Sequence, residues 1–84
     1  MTKLEGLTMM IHGYFIANEK TIVLTEELTK TFCTDEITTI DIENAITELA
    51  RQYKVKQISI HNKATKEHKC FVTLANPISY HIEI

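Results

Sequence analysis

Between Asp41 and Tyr53 the apolar residues Ile42, Ala45, Ile46, Leu49, Ala50 and Tyr53 recur at i, i+3, i+4, i+7, i+8 and i+11. That spacing lines side chains along one side of an α-helix. An apolar stripe of this width needs a second layer to cover it, so the rest of the chain must supply a packing surface. Thr38, Thr39 or Asp41 can cap the start of the helix, and Arg51 and Lys54 stand near its negative pole. Its other side, with Glu43, Thr47, Glu48, Arg51 and Gln52, reads as solvated surface.

The covering layer is expected from the flanking segments. From Leu7 to Ala17 both alternating sets are largely apolar, with Leu7, Met9, Ile11 and Phe15 on one side and Met10, Tyr14 and Ile16 on the other. This predicts a strand covered on both faces. Asn18, Glu19 and Lys20 form a polar break, after which Thr21 to Leu24 is a β-branched run that reads as the returning arm of a hairpin. Residues 25–36 carry two patterns. Thr25, Glu26 and Glu27 offer a cap and an acidic first turn, with Leu28 and Phe32 at i, i+4, whereas Ile22, Leu24, Leu28 and Phe32 also share the parity of a strand. The short helix is the preferred reading.

Downstream of the helix, Val55–His61 and His68–Ala75 predict two strands joined by the polar loop Asn62 to Glu67. Asn76-Pro77 is a turn pair, and Ile78, Tyr80, Ile82 and Ile84 alternate with Ser79, His81 and Glu83 as a last strand with one wet face. The expected fold is α+β, a mostly antiparallel sheet of four to five strands with one principal amphipathic helix packed on one face, a two-layer sandwich. The 84 residues form a single domain, 1–84, because a second lobe would have no core.

A chain this short buries a modest core, so a metal, a dimer interface or a tight partner would be a useful reinforcement. With 44% hydrophobic residues, two Gly and one Pro, the composition is that of a globular and not a disordered chain. The stretch after Lys3 imitates a secretory signal poorly. Thr8, His12 and Gly13 interrupt it, no small-x-small site follows Ala17, and no run approaches the ~20 apolar residues that span a bilayer. The expectation is a cytoplasmic protein without membrane contact, in which Cys33 and Cys70 are thiols.

Chemistry is sparse. His68 and Cys70 stand at i and i+2 of a predicted strand and so share a face. With Cys33 and one further imidazole, His12 first among the candidates His12, His61 and His81, they contain the N and S donors of a structural zinc site. The short Cys-x-x-Cys chelate that makes such sites legible is missing. The plainer reading makes Cys70 a small buried hydrophobe in register with Val72 and Leu74. A Cys-His catalytic dyad lacks a third orienting group, and no Gly-rich oxyanion or phosphate loop is found, so the chain is read as non-catalytic.

Charge is divided along the chain. Residues 1–50 hold three lysines against nine acids, a net of −6, and residues 51–84 hold six cations against two acids, a net of +4. The basic run Lys54, Lys56, Lys63, Lys66 and Lys69 is a candidate nucleic-acid surface, but it has one Arg at its edge, no Trp, and Tyr53 and Phe71 alone for stacking. A protein partner is therefore favoured over a nucleic acid. The expected contacts are Glu26, Glu27, Asp35 and Glu36, facing a basic, nucleic-acid-handling protein, together with Lys63 and Lys66 on the hairpin loop. A homodimer through a strand edge is a further expectation. No motif matches a known family. By analogy of class alone, a small non-catalytic inhibitor or modulator of a larger protein, of the phage accessory or anti-CRISPR kind, is the expected function.

Overall fold

The computed structural model describes residues 2–75 and shows three helices and a three-stranded antiparallel sheet in them. Their order is α1 (Lys3–Ala17), β1 (Ile22–Leu24), α2 (Thr25–Phe32), α3 (Thr39–Arg51), β2 (Val55–Asn62) and β3 (Glu67–Leu74). The α+β class stands, with three strands and three helices among the described residues, where four to five strands, one principal helix and one short helix were expected over the whole chain. The expected last strand, residues 78–84, lies outside the described residues.

The largest difference from the sequence reading is α1, where a strand was expected. Leu7, Ile11 and Phe15 recur at i, i+4 and i+8 and are buried, while Met9, Met10 and Ile16 on the other sides are more than half exposed. Apolar residues facing solvent filled the gaps in the helical period and made the segment resemble a two-faced strand. Thr2 caps the helix by accepting from the Glu5 amide at 3.1 Å. Its far end is a Schellman turn, with Glu19 N donating to Ile16 O at 3.2 Å and Lys20 N to Phe15 O at 2.9 Å. Glu19 takes the left-handed conformation there, at φ 53°.

Because Leu7–Ala17 is helical, β1 has no hairpin partner before it. It pairs instead with β3 across the fold, Ile22 opposite Thr73, Val23 opposite Val72 and Leu24 opposite Phe71. The strand β3 is central, with β1 on one side and β2 on the other. The preferred reading of residues 25–36 holds over Thr25–Phe32, where Glu26 and Glu27 occupy the first turn and Leu28 is buried.

The stripe first read from the sequence is α3. Ile42, Ala45, Ile46 and Leu49 are buried, and Thr38 and Asp41 form a reciprocal capping box. Tyr53 departs from that reading. It lies beyond the helix end, 80% exposed, at φ 59°, in a second Schellman turn where Tyr53 N donates to Ala50 O and Lys54 N to Leu49 O. The stripe therefore ends one turn early, and the chain reverses into β2.

One core joins all these elements: Leu7, Ile11 and Phe15 of α1, Leu28 of α2, four residues of α3, and Val23, Val55 and Val72 of the sheet. Polar contacts tie the helices together at the rim. Tyr14 on α1 donates to Glu27 Oε2, Lys20 pairs with the same oxygen at 3.1 Å, and Lys3 pairs with Asp41 at 2.9 Å while donating to the Glu36 carbonyl.

Candidate functional site

Residues opposite one another in an antiparallel pair share a face, so the register sorts the sheet's side chains into two sets. Val23, Val72, Leu74 and Val55 face the helices, and their strand alternation places Gln57, Ser59, His61, His68 and Cys70 on that same side. Burial stops at Val55 on β2 and at Val72 on β3. Beyond that level the hairpin overhangs the helical layer, and its inner side is open to solvent.

The outer face carries the other parity. Leu24, Phe71 and Ile58 form one row across all three strands, flanked by Ile22 opposite Thr73 and by Ile60 opposite Lys69. Ile22 and Ile60 are 50% and 53% exposed, Leu24 and Ile58 38% and 39%, and Phe71 is half-buried. Lys56 and Lys69 stand on this same face, so the surface is an aliphatic patch with a basic rim.

The hairpin tip is held by its own side chains. Asn62 Oδ1 accepts from the amides of Ala64 at 3.0 Å and Thr65 at 3.3 Å, and Thr65 Oγ1 accepts from Glu67 N. Lys63 and Lys66 project from this turn, both exposed, with Lys66 at φ 60°. These two expected contact residues are therefore presented at the tip of the β2–β3 hairpin.

The four acids expected to form one contact surface are divided. Glu26 and Glu27 stand in the first turn of α2 and Asp35 and Glu36 follow its end, an eight-residue helix, about 12 Å, apart. Glu26 pairs with Lys30 one turn on, at 3.0 Å, and Glu27 with Lys20. The Tyr14 hydroxyl, then Lys20, hold the Glu27 carboxyl below the usual carboxylate range, and Glu27 in turn raises Lys20. Half of this acidic charge is compensated within the molecule. Similarly, Arg51 and then Gln52 pull Glu48 down to about 2, and the Thr38 amide, followed by Lys3, lowers Asp41.

The four residues expected to hold zinc are not assembled. His12 lies on α1 beside a groove of about 210 Å³ shared with Leu49 and Lys54, and Cys33 closes the end of α2. His68 and Cys70 share the inner side of the hairpin, as their spacing requires. As the side chains stand, no three His, Cys, Asp or Glu among the described residues converge closely enough to hold a metal ion. Both cysteines are exposed. The reading of Cys70 as a buried hydrophobe fails, because parity with Val72 puts it on the inner face but past the edge of the helices.

Sequence reasoning missed Ser59 and the outer aliphatic row, and it held His61 only as an alternative to His12. A signal was present, since Ile58 and Ile60 have the opposite parity to Val55. Two isoleucines therefore face away from whatever buries that valine. Among the described residues, no helix is long and apolar enough to cross a membrane. No family model, no curated protein and no solved structure matches the chain.

Proposed function

We propose that this chain is a small binding module that occupies a surface of a larger protein with the outer face of its sheet, acting as an inhibitor or modulator and not through chemistry of its own. The observation that supports this reading is the exposed aliphatic row of Ile22, Leu24, Ile58 and Ile60 with Lys56 and Lys69 beside it. Aliphatic side chains gathered on a solvent-facing sheet give the desolvated centre of an interface, and the lysines select a partner whose apolar patch is edged by carboxylates. The acidic positions Glu26, Glu27, Asp35 and Glu36 take a lesser part, because two of them are already paired and the set is split across α2.

A second reading, nucleic-acid binding, rests on topology. Two helices, α2 and α3, joined by the six residues 33–38 and followed by a lysine-tipped hairpin have the connectivity of a helix-turn-helix unit with a wing. Electrostatics weigh against it. The first turn of α2 is acidic, and the solvent side of α3 carries Glu43 and Glu48, where a helix entering a groove needs cations to meet phosphates.

Site-specific photocrosslinking in cells of the source organism separates the readings. A crosslinking residue at position 60 is expected to give a discrete protein adduct that position 43 does not give, and Ile58→Glu is expected to abolish it. An equal adduct from position 43, or one indifferent to Ile58→Glu, would sink the outer-face reading. Steeply salt-dependent binding to duplex DNA that is lost in a Lys63→Ala, Lys66→Ala chain would replace it with the second.

A further inference from the structure

On the inner side of the overhanging hairpin four polar side chains form a two-by-two block, Ser59 opposite Cys70 and His61 opposite His68. We propose that this block is a transition-metal site in which His61, His68 and Cys70 bind one zinc-class divalent ion. Two imidazoles and a thiolate are the ligands that zinc and cobalt(II) favour over magnesium or calcium.

The three donors do not converge as their side chains stand, but the register sets them at neighbouring positions on one face of the hairpin. The rings of His61 and His68 stand edge to face with centroids 5.9 Å apart. Two imidazoles sharing a tetrahedral ion, with metal–nitrogen bonds of about 2.0–2.1 Å, have centroids roughly 5 Å apart, so the proposed site requires the two rings to turn toward each other by about an ångström. The third ligand is marked by Ser59. Its Oγ shares a hydrogen bond with His68 Nε2 and lies 3.8 Å from Cys70 Sγ, so one hydroxyl occupies the space between a nitrogen and a sulfur donor. Rotation of that serine about a single torsion frees the position for a metal.

The surroundings permit it. All four side chains are exposed, so an ion arrives from solvent without local unfolding, while Lys56 and Lys69 project from the opposite face of the sheet. Binding deprotonates the thiol, the proton leaving to solvent, and ties β2 to β3 in the part of the hairpin that the core does not reach. Three protein ligands leave a fourth tetrahedral position for water or for a donor from a bound partner. Cys33 and His12, on α2 and α1, take no part.

Titration of the reduced full chain with cobalt(II), followed by displacement with zinc, tests the assignment. The expected result is one equivalent per chain with thiolate-to-cobalt charge-transfer absorption. Cys70→Ser removes that band, Cys33→Ser keeps it, His61→Ala and His68→Ala each weaken binding by about tenfold or more, and His12→Ala leaves it unchanged. Absence of the band, its survival in Cys70→Ser, its loss in Cys33→Ser, or an ion shared between two chains overturns the proposal. Because the three ligands are exposed, these substitutions leave the core intact.

Discussion

The Tyr14 hydroxyl on α1 donates a hydrogen bond of 2.8 Å to Glu27 Oε2 on α2, and Lys20 reaches the same oxygen from the turn between them. This contact makes part of the stability depend on pH. The folded Glu27 value lies below its ordinary 4.5, so its contribution is complete above that value and disappears as pH falls through the lowered one. Urea unfolding should show Glu27→Gln less stable than the parent near pH ~7, with the difference vanishing in strong acid. Tyr14→Phe should move the Glu27 titration, followed by NMR, back toward its ordinary value. Lys20 gives the opposite limb: its raised value makes the contribution complete below its ordinary 10.5 and lost as pH rises through the folded value.

Backbone preferences and residue types are mismatched at three places in the helical layer. Gly13 sits inside α1, where an added Cβ meets nothing within 4 Å, while Glu19 and Tyr53 hold left-handed positions that suit glycine. Gly13→Ala should raise stability by about 0.5–1 kcal/mol by restricting the unfolded chain. Glu19→Gly and Tyr53→Gly should each raise it by a similar amount, about 0.5–1 kcal/mol, by relieving the cost of positive φ. Thermal unfolding of the three single variants and their combination checks both the sign and the additivity.

Core and outer face should respond in opposite ways. Phe15 and Ile46 are 0% and 1% exposed, and truncation to Ala leaves cavities costing about 3–5 and 2–5 kcal/mol, enough to unfold much of a domain this small. Ile60→Thr removes an exposed side chain and should stay within about 0.5 kcal/mol of the parent. Circular dichroism melts measure these differences. A large loss from Ile60→Thr would mean that this face is packed and not available for a partner.

The capping box of α3 gives a fourth test. Thr38 Oγ1 accepts from the Asp41 amide at 3.2 Å and Asp41 Oδ2 accepts from the Thr38 amide at 2.9 Å. Thr38→Ala should cost about 1 kcal/mol in chemical denaturation, and Thr38→Ser much less.

The sequence by itself determined the elements whose signal is local. The period of Ile42 to Leu49 specified α3 and the acids after Thr25 marked the start of α2, because in both helices the buried side differs chemically from the exposed one, and the polar break Asn62 to Glu67 between Val55–His61 and His68–Ala75 specified the hairpin. Long-range packing decided the remainder. Leu7 to Ala17 is apolar on every side, so its letters fit strand or helix, and docking of Leu7, Ile11 and Phe15 against α3 selected the helix. That choice left β1 to pair with β3 and fixed which face of the hairpin is covered. Where the helical layer ends is likewise a tertiary fact. It leaves Cys70 exposed beside Ser59 although Val72, two residues on and on the same face, is buried, since strand parity assigns a side chain to a face but not to cover upon it.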